Sequence, residues 1–68
     1  MNIHTLTERE RTVLAHLCDG LTAKDIARTE HLSVCTVRSH IRGIFMKLRV
    51  RSLHAAVAHA YRNDLVDA

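Results

Sequence analysis

Hydrophobic residues recur every three or four positions along most of the chain, and short polar stretches interrupt this pattern three times. Such spacing places apolar side chains on one face of an α-helix. The pattern therefore predicts four helices joined by short connections, over about residues 8–19, 23–30, 34–48 and 53–63. We expect an all-α fold, a four-helix bundle, in which residues 1–68 form a single domain.

Each predicted helix begins at a residue whose side chain can accept a hydrogen bond from a free backbone amide. In the first two helices an acidic residue, Glu10 or Asp25, stands three positions after the capping residue, which is the spacing of a capping box. Gly20 can end the first helix because glycine adopts a left-handed conformation without strain. The four N-cap candidates are Thr7, Thr22, Ser33 and Ser52.

The third predicted helix carries the clearest apolar stripe, which a helical wheel of about 100° per residue turns towards the core. This stripe consists of Val37, Ile41, Ile44 and Leu48. The opposite side holds Cys35, Ser39, Arg42 and Met46, with Arg38 at its edge. An exposed polar face on a helix that closely follows a short one is typical of the recognition helix of a helix-turn-helix, because the major groove of DNA admits one α-helix. We therefore place a helix-turn-helix at the centre of the bundle.

Composition and charge limit the classes of function. The 68 residues are 47% hydrophobic but only 3% aromatic, and so short a chain encloses no deep substrate pocket. Residues 34–68 hold six of the ten Lys and Arg residues and only two of the seven Asp and Glu residues. This asymmetry favours a polyanionic partner.

Several motifs occur in the order and spacing of one known family. They are Leu6-Thr7-Glu8-Arg9-Glu10, Gly20-Leu21-Thr22, Lys24-Asp25-Ile26-Ala27, Ser33, Thr36-Val37-Arg38-Ser39-His40-Ile41, Lys47-Leu48 and Val50-Arg51-Ser52. From about Leu6 to Ala60 the sequence resembles the LuxR/GerE-type (FixJ/NarL-type) DNA-binding domain. The resemblance implies a sequence-specific transcription regulator, not an enzyme, whose third helix (34–48) enters the major groove of double-stranded DNA.

The resemblance also implies roles for individual residues. The positions that match base contacts are Arg38, Ser39 and Arg42. The positions that match phosphate contacts are Lys24, Thr36, Lys47 and Arg51. The fourth helix is the usual dimer contact in this family, so two copies would bind an inverted repeat. The dimer contacts expected in this homodimer are Leu53, Ala55, Ala56, Ala58 and His59.

Three residues depart from the family pattern. Glu30 stands where an apolar residue is usual, and His31 and Arg49 stand where glycine is common. A positive φ in the turn before the third helix would cost histidine more than glycine. Arg49 adds a positive charge close to two expected phosphate contacts.

Metal binding and catalysis have little support in the sequence. His54 and His59 are five residues apart, which is poor spacing for one helix face, and neither Cys-x-x-Cys nor His-Glu-x-x-His occurs. Cys35 and His40 would lie roughly 140° apart around one helix, without a third catalytic group. We expect no metal, no cofactor and no catalytic residue, and interpret His40 as a packed structural residue.

Location and partners follow from what the sequence lacks. No export signal precedes Cys18 and Cys35, and no apolar run approaches the roughly 18 residues of a membrane span, so we expect a cytoplasmic protein with reduced thiols and no membrane partner. RNA polymerase is a further candidate partner. Because only about six residues precede the first helix, the chain is either a stand-alone regulator of the GerE kind or a fragment.

Two alternative functions share the same helical plan. A promoter-recognition region like region 4 of a sigma factor would act only together with RNA polymerase. A protein-interaction module, such as an anti-activator, would instead use an exposed edge formed by Cys35, Phe45 and Met46. Independent binding of a dimer to an operator would exclude the first alternative, and a stoichiometric protein partner without DNA affinity would favour the second.

Overall fold

A computed structural model describes residues 6–63, which form four α-helices. They are α1 (Glu8–Cys18), α2 (Ala23–Glu30), α3 (Val34–Leu48) and α4 (Leu53–Arg62). The predicted all-α, four-helix fold is confirmed, although α1 and α4 each end one residue earlier than expected. Residues 1–5 and 64–68 of the predicted domain lie outside the described residues.

The side chains expected to cap the helices do so. Each accepts a hydrogen bond from the amide three residues later, at 3.1 Å for Thr7, 3.2 Å for Thr22, 3.0 Å for Ser33 and 3.1 Å for Ser52. The carboxylates of Glu10 and Asp25 accept in return from the N-cap amides, so both capping boxes are complete. These bonds fix where each helix begins.

Three connections between helices share one backbone pattern. A residue with positive φ follows each of the first three helices, namely Gly20 at 89°, His31 at 57° and Arg49 at 57°. The next residue is aliphatic, packs against the core and donates its amide to the carbonyl five positions earlier; these residues are Leu21, Leu32 and Val50. This bond is the signature of a Schellman cap. The chain therefore turns sharply after each helix even where the turning residue is not glycine.

Helix α3 lies at the centre of the molecule and contacts the three other helices. Its buried stripe contains Val37, Ile44 and Leu48, as the sequence predicts. Ile41 departs from that prediction, because it is only half-buried at the edge of the core. The rest of the buried apolar cluster consists of Leu6, Val13, Leu14, Leu17, Ile26, Ala27 and Ala60. Within residues 6–63, no helix is both long and apolar enough to span a bilayer.

Candidate nucleic-acid interface

The outer face of α3 presents three polar side chains to solvent. Arg38, Ser39 and Arg42 are all exposed; Ser39 and Arg42 lie on the side of the helix away from the buried Val37 and Ile44, and Arg38 lies at the edge of that side. Neither arginine forms an ion pair with any residue in the range 6–63. As far as residues 6–63 are concerned, both guanidinium groups therefore keep their donors available for an external partner.

Two helix N-termini carry further candidate contacts. Lys24 lies in the first turn of α2 and Thr36 in the first turn of α3, and both are exposed. The Thr36 hydroxyl oxygen accepts a hydrogen bond of 2.9 Å from the hydroxyl of Ser33. Because the first turn of a helix carries partial positive charge, both positions suit an anionic group.

Lys47 has a different environment from the other expected phosphate contacts. Its Nζ donates a hydrogen bond of 2.7 Å to Oε1 of Glu10, and its side chain is 35% exposed. Burial raises the pKa of the Glu10 carboxyl, but hydrogen bonds from Lys47 and from the backbone and hydroxyl of Thr7 outweigh this and leave the pKa below its usual value. Lys47 thus connects α3 to α1, and its charge is largely compensated inside the protein.

A glycine makes room for this carboxylate. A Cβ placed on Gly43 would lie 2.9 Å from Oε2 of Glu10, which is too close for a relaxed contact. Glu10 is buried although it is charged. One of its carboxylate oxygens lies close to the backbone of α3 at Gly43, and the other accepts the hydrogen bond from Lys47. Glu10 and Lys47 stand in the sequence motifs and Gly43 lies between two of them, but the spacing along the chain gives no sign that the three residues meet.

The junction between α3 and α4 carries two exposed arginines. Arg49 follows the last residue of α3 and Arg51 precedes the N-cap of α4, while Val50 between them packs against the core. Within residues 6–63, neither Arg49 nor Arg51 forms an ion pair. The burial of Val50 therefore leaves both guanidinium groups on the outside of the junction.

Glu30, which departs from the family pattern, joins α2 to α1 by polar contacts. Its carboxylate accepts from Nη1 of Arg9 at 2.9 Å and lies 2.7 Å from Nε2 of His16. The hydrogen bond with His16 lowers the pKa of Glu30, and the charge of Arg9 acts in the same direction. Arg9 and His16 are seven residues apart, hence on one side of α1. The seven-residue spacing of Arg9 and His16 was the sequence signal that could have indicated an acidic partner for this side of α1, such as Glu30.

The structure corrects one expected dimer contact on α4. Ala56 has 0% exposure and packs inside the subunit, so it is not available to a second copy. Leu53, another expected dimer contact, is the first residue of α4 and is 46% exposed. Ala55, Ala58 and His59 are half-buried, and Ala58 lies about 160–200° around the helix from the buried Ala56 and Ala60.

Histidine and cysteine side chains are scattered through the fold. Among residues 6–63, no three His, Cys, Asp or Glu side chains come together as a metal site would require. Cys18 is half-buried and Cys35 exposed, and both thiols are free. Burial and the neighbouring Asp19 raise the pKa of the Cys18 thiol, which disfavours the reactive thiolate. His40 is half-buried beside the α3 stripe.

Known proteins with similar sequences and structures are bacterial regulators. Residues 4–60 match the family described as bacterial regulatory proteins, luxR family. The response regulator protein VraR of Staphylococcus aureus and that of Staphylococcus epidermidis are each 34% identical over 61 residues, which is 90% of this chain and 29% of the relative. The chain therefore spans less than a third of the length of these curated relatives.

A solved structure gives the same result for the fold. The response regulator ChrA of a heme-sensing two-component system superimposes with a TM-score of 0.86 at 33% sequence identity, over 90% of this chain and 30% of that one. The family is a DNA-binding, non-enzymatic one, in agreement with the prediction that the domain is not an enzyme. The chain belongs to the LuxR family of bacterial regulatory proteins and is a helix-turn-helix DNA-binding domain of a transcription regulator.

Proposed function

We propose that the domain binds an inverted-repeat DNA site as a homodimer, with α3 of each copy in the major groove. The observation that supports this most directly is the pair of exposed arginines, Arg38 and Arg42, which lack internal ion-pair partners within residues 6–63. An arginine can donate two hydrogen bonds to the N7 and O6 of guanine. The binding takes place in the cytoplasm, and RNA polymerase beside the site is the further expected partner.

Base contacts are assigned to Arg38, Ser39 and Arg42. Arg38 and Arg42 are four residues apart, which separates them by about 6 Å along the helix axis on nearly the same side. Arg38 lies in the N-terminal part of α3, the part of a recognition helix that contacts base edges, and Arg42 lies one turn later, near the middle of the helix. Ser39 is exposed beside them and can donate to or accept from either kind of base pair.

Phosphate contacts orient the domain on the duplex without selecting a sequence. Lys24 and Thr36 suit this role because they are exposed in the first turns of α2 and α3, and Arg51 because it is exposed at the α3–α4 junction. Lys47 remains an expected contact of this class, but its hydrogen bond to Glu10 reduces what it can contribute.

The homodimer is assigned to the outer face of α4. Ala55 and Ala58 have small side chains that let two helices approach closely, and His59 and Leu53 flank them. Leu53 and Tyr61 are 46% and 43% exposed, so apolar area is available at both ends of this helix. A two-fold axis through α4 would present two α3 helices to successive half-sites, which lie one helical turn of DNA or a multiple of it apart.

The test is selection of bound sequences from a random DNA pool, followed by titration of the selected site. We expect the selected site to be an inverted repeat. The variants Arg38→Ala and Arg42→Ala should no longer prefer this site to unrelated DNA, but both should keep weak, salt-sensitive binding. Arg11→Ala removes the same charge from an exposed position of α1 and should keep the preference. Absence of binding by the unaltered chain at about 50–100 mM salt would refute the proposal.

A further inference from the structure

We propose that Arg49, which directly follows α3, contacts a DNA phosphate and shares with Arg51 the role of holding the DNA backbone. This inference rests on the proposed function, and it adds a residue that the family pattern does not supply, since glycine is common at this position. The contact would be independent of base sequence. Three features of the described residues support it.

The first feature is the direction in which Lys47 points. On a helical wheel Lys47 lies about 180° from Arg38 and about 140° from Arg42, on the side that faces α1. There its Nζ is 2.7 Å from the buried carboxylate of Glu10. A lysine that turned towards a phosphate would leave that carboxylate buried without its counter-charge. The hydrogen bond to Glu10 thus limits what Lys47 can contribute, and a second cation at the end of α3 would strengthen the contact to the strand.

The second feature is the position of Arg49 relative to the recognition face. Arg49 follows Arg38 by 11 residues and Arg42 by 7, so their Cα atoms lie within about 40° of one another around the helix. Arg49 is displaced from Arg42 by about 10 Å along the helix axis. The major groove is about 12 Å wide, so a residue this far from the base contacts on the same face reaches the groove wall, where the phosphates are. The side chain of Arg49 is exposed.

The third feature is the backbone that carries Arg49. Its φ of 57° lies in the left-handed region, which disfavours every residue with a Cβ relative to glycine. The turn is held by the Val50 amide, which donates to the carbonyl of Phe45 at 3.0 Å, and by the packing of Val50 against the core. The Arg49 side chain makes no hydrogen bond or ion pair within residues 6–63 that would compensate the strain. The Arg49 guanidinium group is therefore held at this position without an internal partner among the described residues, and it is available to an external anion.

The experiment measures DNA affinity against salt concentration for Arg49→Gly, using both the selected site and unrelated DNA of equal length. Losing one phosphate contact should reduce the slope of log affinity against log salt by about 0.9 and weaken binding to both DNAs by the same factor. Thermal unfolding of the same variant should show a midpoint no lower than that of the unaltered chain, because glycine removes the strain. Weaker binding by a protein that is at least as stable would exclude loss of folding as the cause.

The matched control is His31→Gly. His31 has the same φ of 57° at the end of α2, so the substitution relieves the same kind of strain without removing a guanidinium group. It should leave the salt slope unchanged. An unchanged slope for Arg49→Gly, or a loss confined to the selected site, would overturn this inference while the proposed function stands. Absence of DNA binding by the unaltered chain would overturn both.

Discussion

The Nζ of Lys47 in α3 lies 2.7 Å from Oε1 of Glu10 in α1, and the same carboxylate oxygen accepts the Thr7 amide at 2.9 Å. Glu10 therefore completes the capping box of α1 and holds the C-terminal half of α3 at once. Its other oxygen lies against Gly43. This carboxylate is the main polar link between the first helix and the recognition helix, and it explains how a charged residue is buried in so small a core.

Removal of Lys47 should destabilise the fold. Lys47→Met keeps most of the aliphatic volume but leaves the buried Glu10 carboxylate without its charged donor, and we expect the free energy of unfolding to fall by about 1–3 kcal/mol. Urea denaturation followed by circular dichroism measures this. Lys24→Met, at an exposed position without an ion pair among residues 6–63, should change the stability by less than about 0.5 kcal/mol. Equal stability of the two variants would contradict the role assigned to Lys47.

Acid should destabilise the domain. Three carboxyl groups have a lowered pKa in the folded domain. For Glu10, burial raises the pKa but the hydrogen bonds to the carboxylate outweigh this effect. The hydrogen bond from the Thr22 backbone amide lowers the pKa of Asp25, and the hydrogen bond with His16 lowers the pKa of Glu30. Carboxyls with a lower pKa in the folded state bind more protons when the chain unfolds. Their stabilisation is therefore present above about pH 5 and is lost as the pH falls towards about 3.

Urea midpoints measured at several pH values between about 7 and 3 test this expectation. Glu10→Gln should flatten the acid side of the profile because one of the three lowered carboxyls is absent. Glu8 is the control, since it is exposed in the first turn of the same helix and makes no ion pair within residues 6–63. A stability that rises on acidification, or an equally flattened profile for Glu8→Gln, would contradict the assignment.

Substitution of Gly43 should fail to give the stabilisation that is usual in a helix. Gly→Ala inside a helix ordinarily adds about 0.5–1 kcal/mol. Here the new Cβ would lie 2.9 Å from Oε2 of Glu10, so the carboxylate must move away from Lys47 or Thr7. We expect Gly43→Ala to be no more stable than the unaltered chain in urea denaturation.

A double-mutant cycle identifies the cause. In a Glu10→Ala background the carboxylate is absent, so Gly43→Ala should recover its ordinary gain, with a coupling energy of about 1 kcal/mol between the two positions. A gain of the same size in both backgrounds would show that Glu10 does not restrict position 43.

The outer face of α4 should tolerate a bulky residue in the monomer but not in a dimer. Ala58→Arg adds volume and positive charge, so weaker binding could not be attributed to repulsion from DNA. We expect this variant to bind a single half-site as well as the unaltered chain does and to lose the cooperative binding to the inverted repeat. Gel-shift titration with one and two half-sites measures both. Retained cooperativity would exclude α4 as the dimer contact.

Local chemistry in the sequence was enough to predict the helices. Thr7, Thr22, Ser33 and Ser52 mark the helix starts because a capping interaction spans only three residues. The stripe of α3 follows from helical periodicity alone, and it also fixes which side of the helix carries Arg38 and Arg42. A left-handed end at Gly20 was predictable for the same local reason, whereas His31 and Arg49 were recognisable as turning residues only by comparison with the family pattern.

Contacts between distant residues were decided by the tertiary structure. Glu10 and Lys47 are separated by 37 residues, and Glu30 and Arg9 by 21, so no helical period connects the members of either pair. Packing of α1 against α3 gave Lys47, an expected phosphate contact, a buried carboxylate as partner, and packing of α4 buried Ala56, an expected dimer contact, inside the subunit. The sequence alone determined which side chains each helix presents on which face, because that depends on periods of three and four residues. Which faces meet depends on how the helices fill a shared core, and only the folded chain settles that.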